Sequence, residues 1–454
     1  MRLLGTINPL PVARHLVEIR RVDAMPLARQ LDRQAALLRR VVRHAADSVP
    51  WYRERLTAQQ ARAVRGPGDL AGLPVLDRES VRANRHENWL FAEGFGPHNT
   101  RSHTTSGSSG VPIVMHNSER DLGYLRATYL NDMLATGLRP TDRMAYFRPG
   151  TFLHHPLERL GLLPMIHVDT RQGIDEQVDA FLAGRPTFLT GFPNTIASIA
   201  EEIDRRGLRY DRVRRIVFGG ERLTPHLRRR VSEVFGARCL EVYSAVEVFT
   251  IARTCPLGRM HLRPADVVVE VEHDDGSVSV ADGEGEILLT RLRSQAMPLL
   301  RYRLGDRVRI APSTCECGTS TAPVVEEVLG RAQDLLYGPD GRGACIDVIN
   351  MPLLAFPELS RVQVVQEAPG VVEVRAVLAP QAPQDVLARM GHVVAQALPA
   401  FRTTVVRVEA IEPGPNGKIQ VVRSASGWEP GTEPAAPSRQ GPSLTSDRIT
   451  RRTP

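Results

Sequence analysis

The segment 213–243 constrains the fold more than any other part of the sequence. A β-rich run stops at a Gly-Gly-Glu turn at 219–221, and Thr224 then precedes Pro225 as a helix cap followed by proline at the first helical position. Apolar residues recur on one helical face until Gly236, and a second apolar run follows. Two strands joined by a helix within about 30 residues predict a parallel pair, and therefore an α/β core.

Periodicity and turn residues predict elements on both sides of this unit. Helical spacing of apolar residues predicts helices at 27–49, 119–137 and 174–184, and apolar runs bounded by turn residues predict strands at 186–191, 266–272 and 286–290. We expect Pro50 to end the first of these helices and a loop-rich stretch to follow it.

The sequence changes character after Gly330-Arg331. Strand-like runs at 361–366, 371–378 and 403–409, with a helix-like run at 384–398, predict a small α+β unit. The stretch 426–454 is rich in Pro, Gly, Ser and charge, and buries too little apolar surface to order itself. We therefore expect a large unit at 1–330, a small unit at 331–425 and a disordered tail at 426–454.

Charge and composition exclude several classes of protein. The net charge is +7, but arginine is scattered along the chain and aromatic residues are only 5%, so the basic patches interleaved with aromatics that are typical of nucleic-acid sites are not expected. No apolar run approaches the roughly 20 residues of a membrane span, and the N-terminal residues lack the basic–apolar–small layout that predicts a secretion signal. Five cysteines in 454 residues do not form a disulfide scaffold. We expect a cytoplasmic protein that binds neither nucleic acid nor membrane.

A run of hydroxyls and glycines at 104–110 reads Thr-Thr-Ser-Gly-Ser-Ser-Gly. Such a loop offers backbone N–H groups at close approach, and hydroxyl donors, to a polyphosphate. It is not a Walker loop, because the Lys-Ser/Thr pair that should follow the second glycine is absent. Taken alone, the run is more typical of a plain Ser/Gly linker.

Four further motifs follow this loop in order. They are Gly219-Gly220-Glu221 with Tyr243-Ser244-Ala-Val-Glu247, the run from Ala296 to Asp306, Gly330-Arg331-Ala-Gln-Asp334, and Pro415-Asn-Gly-Lys418. Together with the Gly-Ser loop they resemble the motifs of the adenylate-forming superfamily, and of its phenylacetate–CoA ligase branch in particular. The stretch Tyr337-Gly-Pro-Asp-Gly-Arg342 is similar to the CapK-like members of that branch. Lys418 is also the single lysine among 58 Lys and Arg residues, which argues against its chance placement in the last motif.

The resemblance implies a fold and a function. The fold is a large N-terminal adenylate-forming domain with β-sheets flanked by helices, joined to a small mobile α+β C-terminal subdomain. The function is ATP-dependent activation of a small carboxylic acid as an acyl-adenylate, followed by acyl transfer to CoA. Two alternatives stay open: an amine or other non-CoA acceptor, and a non-catalytic nucleotide-binding relative. The resemblance also leaves a homodimer open.

The resemblance also implies roles for individual residues. Glu247 is expected to ligate Mg²⁺, which prefers hard oxygen ligands, and Asp306 to accept hydrogen bonds from the ribose hydroxyls. Tyr243 is expected to cover the adenine, and Lys418 to supply the catalytic charge near the carboxylate and the α-phosphate. The other implied nucleotide-binding residues are Thr105, Ser106, Gly107, Ser108, Ser109, Gly110, Gly219, Gly220, Glu221, Ser244 and Arg331, and the acyl pocket is implied to include Tyr146 and Phe192.

Cys255, His261, Cys315 and Cys317 form a second candidate site. Their C-x5-H and C-x-C spacings provide the Cys₃His set of a closed tetrahedral zinc site. The resemblance to phenylacetate–CoA ligases supports this interpretation, because it implies a structural zinc at these positions. Such an ion would hold together a β-rich segment at 250–325. Four unrelated residues, with the cysteines buried as small apolar side chains, are the alternative.

Overall fold

The computed structural model describes residues 9–104, 113–148, 158, 161–170, 172–221, 223, 225–331, 335–339, 343–345, 349, 352–353, 356–412 and 422–424. The Gly-Ser loop from Thr105 to Gly110, the motif that contains Lys418 and the predicted tail at 426–454 lie outside the described residues.

The helices of the described residues flank a large sheet and a small one. They are α1 (Pro9–Asp23), α2 (Leu27–Ser48), α3 (Pro50–Arg53), α4 (Ala58–Ala63), α5 (Arg78–Glu87), α6 (Glu119–Ala135), α7 (Ile174–Gly184), α8 (Pro193–Arg205), α9 (Pro225–Phe235) and α10 (Val386–Ala397). The predicted helices at 27–49, 119–137 and 174–184 correspond to α2, α6 and α7.

The loop-rich stretch expected after Pro50 is interrupted by short helices that the sequence analysis did not predict. The proline does follow the end of α2, but it also occupies the first turn of α3, where its missing N–H costs no hydrogen bond. The short helix α4 follows, with Thr57 and Gln60 forming a capping box at its start. Helices of four to six residues carry too little periodicity to be recognised from the sequence.

Twelve strands form the large sheet, in the order β11-β10-β12-β13-β14-β9-β8-β7-β6-β5-β3-β4. These strands are β3 (Met144–Arg148), β4 (Met165–Asp169), β5 (Phe188–Gly191), β6 (Arg215–Gly219), β7 (Arg238–Ala245), β8 (Phe249–Thr254), β9 (Met260–Leu262), β10 (Val267–Glu272), β11 (Val278–Val280), β12 (Gly283–Arg291), β13 (Tyr302–Ala311) and β14 (Val324–Arg331). The separate hairpins β1 (Arg101–Thr104) with β2 (Val114–Asn117), and β15 (Leu335–Tyr337) with β16 (Gly343–Cys345), are two-stranded.

Strand β7 divides the large sheet into two halves. Strands β4, β3, β5, β6 and β7 pair in parallel, so the strand–helix–strand unit predicted at 213–243 is confirmed as β6, α9 and β7. From β7 to β11 every pair is antiparallel. Buried side chains of α7, α8 and α9 pack on one face of the parallel half, and Met133 of α6 packs on the other. The predicted α/β fold class is confirmed.

The small sheet has the order β19-β18-β17-β20 and lies in the C-terminal part of the chain. Its strands are β17 (Leu359–Ala368), β18 (Val371–Leu378), β19 (Arg402–Arg407) and β20 (Val422–Ser424). Met390 and Val394 of α10 are fully buried against the strand residues Val364 and Val374, which form a separate apolar core. No helix in the described part of the chain is both long and apolar enough to cross a membrane.

Candidate active site

The parallel strands bring several of the predicted site residues toward one edge of the large sheet. Tyr146 is the middle residue of β3, Phe192 follows β5, Gly219 ends β6 and Tyr243 lies near the end of β7. Tyr146 is paired with Thr190 of β5, the strand that Phe192 follows. The acyl pocket between them stays a prediction. In open α/β sheets, ligands bind at this edge.

The Gly219-Gly220-Glu221 turn leaves β6 through a conformation that glycine favours. Gly220 has a φ of 78°, and a Cβ on Gly219 would lie 3.2 Å from the carbonyl oxygen of Val242 in β7. The Glu221 carboxylate accepts a hydrogen bond from the side-chain amide of Asn194 at 3.0 Å. Because Asn194 lies in the first turn of α8, this contact ties the turn to that helix.

Tyr243 and Asp306 are brought together by the curvature of the sheet. The Tyr243 hydroxyl donates to Asp306 Oδ2 at 2.7 Å. Strands β8, β9 and β14 separate β7 from β13 in the sheet, so four strand spacings would hold the two strands about 19 Å apart if the sheet were flat. The antiparallel half therefore folds back over the end of β7. Asp306 is also paired with Arg331 across β13 and β14, which places the backbone of both predicted residues side by side.

Glu247 lies in the turn between β7 and β8, and only 3% of it is exposed. Its Oε1 accepts a hydrogen bond from the hydroxyl of Tyr302, the first residue of β13, at 3.0 Å. Two residues later, Phe249 has a φ of 65°, which is strained for a bulky side chain. The Tyr302 hydroxyl thus orients the Glu247 carboxylate toward β13, close in sequence to a strained backbone position.

His103 was missed by the sequence analysis. It lies in β1, two residues before the Gly-Ser loop, and its Nε2 is buried with no hydrogen-bond partner among the described residues. Burial, together with the positive charge of Arg291, lowers the pKa of His103 to about 4, so the ring is neutral at pH 7. It contacts Phe249 edge to face, with 6.3 Å between the ring centroids. Its position just before the loop is the only signal in the sequence.

The four predicted metal ligands come together at a second place on the same strands. Cys255 follows β8, His261 lies in β9, and Cys315 and Cys317 lie between β13 and β14. Their four ligand atoms all lie within 4.8 Å of one another. The Sγ atoms of Cys255 and Cys315 are 3.8 Å apart, and Cys317 Sγ is 3.7 Å from His261 Nε2.

These distances suit one tetrahedral ion. With Zn–S bonds of about 2.3 Å, two sulfur ligands of a tetrahedron are separated by about 3.8 Å. His261 Nδ1 lies 2.9 Å from the carbonyl oxygen of Ala322, which holds the proton on Nδ1 and leaves Nε2 to the cluster. At Cys317 burial raises the pKa, but hydrogen bonds, led by the one from Thr319, outweigh it and lower the pKa to about 6, which favours the thiolate that binds metal.

Comparisons with known proteins agree with this architecture. The chain is 28% identical over 356 residues to the phenylacetate–coenzyme A ligase of Thermus thermophilus, covering 74% of this chain and 78% of that protein. It superposes on 2-hydroxyisobutyryl-CoA ligase in the postadenylation state with a TM-score of 0.73 at 17% identity, covering 90% of this chain and 92% of that one. The same ligase in the thioesterification state gives a TM-score of 0.60 at 18% identity, covering 89% and 92%. No protein-family profile matches the chain.

The predicted resemblance to phenylacetate–CoA ligases is confirmed, and the CapK-like assignment stays a prediction. The chain is similar in sequence to phenylacetate–CoA ligases, and its fold is that of CoA ligases in the adenylate-forming superfamily. The structure brings together Tyr243 with Asp306, Asp306 with Arg331, and the four residues of the cysteine–histidine cluster. Lys418 and the residues Thr105 to Gly110 lie outside the described residues. The roles of all the predicted site residues, including those that the structure brings together, stay predictions.

Proposed function

We propose that this chain, a sequence relative of phenylacetate–CoA ligases, is an ATP-dependent acid ligase. It activates a small carboxylic acid as an acyl-adenylate with release of pyrophosphate, and then passes the acyl group to CoA. The first step brings a carboxylate against a polyphosphate, so it requires donors and cations that are positioned before the reaction.

The contact between Tyr243 and Asp306 is the observation that carries this proposal. It joins an aromatic side chain to a carboxylate, with 2.7 Å between the Tyr243 hydroxyl and Asp306 Oδ2. The Gly219-Gly220-Glu221 turn leaves β6 at the same edge of the sheet. A nucleoside needs these two groups: an apolar face for the base and an anionic acceptor for the ribose hydroxyls. They are more than 60 residues apart in the sequence, and the strands that carry them are not neighbours in the sheet.

Glu247 fits the proposed Mg²⁺. It is a hard oxygen ligand, and its Oε1 is oriented by the Tyr302 hydroxyl at 3.0 Å. When bound, Mg²⁺ would neutralise phosphate charge as the adenylate forms. The chain's own contribution is to hold a nearly buried carboxylate in one orientation, through the hydrogen bond from Tyr302.

The cysteine–histidine cluster fits a structural Zn²⁺. All four positions of a tetrahedral ion would be filled by Cys255, His261, Cys315 and Cys317, so no position remains for water or substrate. The ion would hold the β8–β9 turn against the connection between β13 and β14. Its role would therefore be to stabilise the antiparallel half of the sheet.

Pyrophosphate exchange into ATP tests the proposed function directly. The full chain would be assayed with Mg²⁺ and a panel of aryl, hydroxy and aliphatic acids that begins with phenylacetate. We expect exchange that depends on one class of acid, and a CoA thioester when CoA is added. Acyl-adenylate formation with an amide as the product, and no thioester, would reassign the acceptor. The absence of exchange with every acid in the panel would contradict the proposal.

A further inference from the structure

The small sheet is docked on the large unit through Arg361, a residue of β17. One of its terminal nitrogens, Nη2, donates at 3.0 Å to the hydroxyl of Ser198 and at 3.0 Å to Oε2 of Glu201, both in α8. Only 12% of the Arg361 side chain is exposed, against 34% for Glu201. A guanidinium that bridges a carboxylate and a hydroxyl makes charge-assisted hydrogen bonds, which are directional and are screened less when partly buried.

This contact continues through α8 to the nucleotide-binding turn. The Ser198 hydroxyl donates to the backbone carbonyl of Asn194 at 3.0 Å, and the Asn194 side chain donates to the Glu221 carboxylate at 3.0 Å. Arg361 of the small sheet is thus connected by three successive hydrogen bonds to the turn that ends β6.

Strand β20, which follows the lysine motif in the sequence, pairs with β17, the strand that contains Arg361. Val422, the first residue of β20, pairs in parallel with Val364, so β17 and β20 begin at the same end of the sheet. Arg361 lies at that end, three residues before Val364. In the sequence, Lys418 is four residues before Val422.

We infer that Arg361 is a positioning residue that holds the small sheet in the orientation used for adenylation. The inference rests on the proposed function. The TM-score is 0.73 with 2-hydroxyisobutyryl-CoA ligase in the postadenylation state and 0.60 with the same ligase in the thioesterification state, at nearly equal coverage. The open conformation of that ligase gives 0.62, so this chain is more similar to its postadenylation state than to either of the other two states. A contact made in only one of two arrangements shifts the equilibrium toward that arrangement by its own free energy.

Arg361→Ala should therefore separate the two half-reactions. We expect pyrophosphate exchange to slow by about two- to fivefold, which is the range for a partly exposed ion pair. Thioester formation from chemically prepared acyl-adenylate and CoA should not slow. Arg361→Lys keeps the charge and should recover part of the exchange. Glu201→Gln should reproduce the same split, and the double variant should add little to either single change.

Arg389→Ala is the matched control. Arg389 donates to Glu358 at 2.8 Å, and both residues belong to the C-terminal part of the chain, so this variant removes an arginine contact without undocking the sheet. It should leave both half-reactions unchanged. Equal slowing of the two steps by Arg361→Ala, or no change in either, would overturn the inference.

Small-angle scattering of the full chain provides a readout that does not depend on activity. Arg361→Ala should increase the radius of gyration in the absence of substrates, and Arg389→Ala should not. If the wild-type protein exchanges with no acid, the proposed function fails, while scattering still decides whether Arg361 docks the small sheet. If the wild-type protein exchanges and Arg361→Ala leaves the scattering unchanged, the docking contact is refuted alone.

Discussion

The same strands carry two sites of opposite chemistry. At β8, Glu247 lies in the turn before the strand and Cys255 follows the strand. At β13, Tyr302 and Asp306 lie within the strand and Cys315 follows it. The first, which we call the oxygen site, consists of the carboxylates and phenol hydroxyls of Glu247, Tyr302, Tyr243 and Asp306, which suit Mg²⁺ and a nucleotide. The second, the cysteine–histidine cluster, provides thiols and an imidazole, which suit Zn²⁺, and we call it the sulfur site.

The difference between the two sites concerns how much of their geometry the chain itself fixes. Hydrogen bonds between side chains already orient the oxygen site, with Tyr243 donating to Asp306 and Tyr302 to Glu247. In the sulfur site the four ligand atoms converge within 4.8 Å, and bonds to an ion would provide most of their cohesion. We therefore expect substitutions in the oxygen site to change catalysis and nucleotide affinity, and substitutions in the sulfur site to change stability.

The largest expected effect comes from Lys418→Ala. Removing one well-placed charge donor should depress adenylation by on the order of 10²–10⁴-fold. ATP binding should change little, because the predicted nucleotide contacts lie mostly in the large unit. Pyrophosphate exchange and calorimetric ATP titration measure the two quantities. Lys418→Arg keeps the charge but not its compact shape, and should recover only part of the rate. Near-full exchange in Lys418→Ala would refute the assignment.

Asp306→Ala should weaken ATP binding by on the order of 10- to 100-fold. The ribose hydroxyls would lose a charged acceptor worth about 1.5–3 kcal/mol, and each 1.4 kcal/mol is a factor of ten. Asp306→Asn is the matched control, since it keeps an acceptor for Tyr243 and removes only the charge. We expect an intermediate affinity for it. Calorimetric titration with ATP and Mg²⁺ measures both variants, and wild-type affinity in Asp306→Ala would show that this aspartate only orders the end of β7.

Cys317→Ser should break the sulfur site while sparing the oxygen site. The purified wild-type chain should contain about one zinc per molecule, and the variant should lose it. Because metal binding contributes to folding, the melting temperature should fall by on the order of 5 °C, with ATP still bound at low temperature.

Cys239→Ser tests the specificity of that result. Cys239 is buried beside Ser232 and lies outside the cluster, so its substitution should leave the metal content at about one zinc. Metal analysis by mass spectrometry compares the two variants. Wild-type protein purified without chelator and free of zinc would exclude the metal site.

The sequence revealed the sulfur site more completely than the oxygen site, for a physical reason. Cysteine is rare in this chain, with five residues in 454, so the spacings C-x5-H and C-x-C stand out without knowledge of the fold. Aspartate, glutamate and tyrosine have many structural uses, and their motifs were recognised only by resemblance. That Tyr243 contacts Asp306 depends on the curvature of a twelve-stranded sheet, and no local pattern encodes that curvature.

The fold was predicted well where an element is long and periodic, and poorly where tertiary contacts define it. Helix α2 and the β6–α9–β7 unit follow from apolar spacing and caps. Helix α8 was not predicted, although Pro193 opens it and seven of its residues are buried. His103 was missed because a lone histidine beside a flexible-looking loop carries no sign that its Nε2 is buried. The boundary at residues 330–331 stays a prediction.

The smallest expected effect, and the closest test of how the oxygen site is held, is Tyr243→Phe. The ring that would cover the adenine is kept, and only the hydroxyl that donates to Asp306 at 2.7 Å is lost. One hydrogen bond of about 1 kcal/mol corresponds to about a fivefold loss of ATP affinity. If the hydroxyl acts only through Asp306, its removal in the Asp306→Ala background should cost nothing further, because the two substitutions share one interaction. Calorimetric titration of the two single variants and the double variant measures this coupling. Fully additive losses of ATP affinity would show that Tyr243 and Asp306 contact the nucleotide independently of each other. The oxygen site would then be ordered by its ligand, as we expect for the sulfur site.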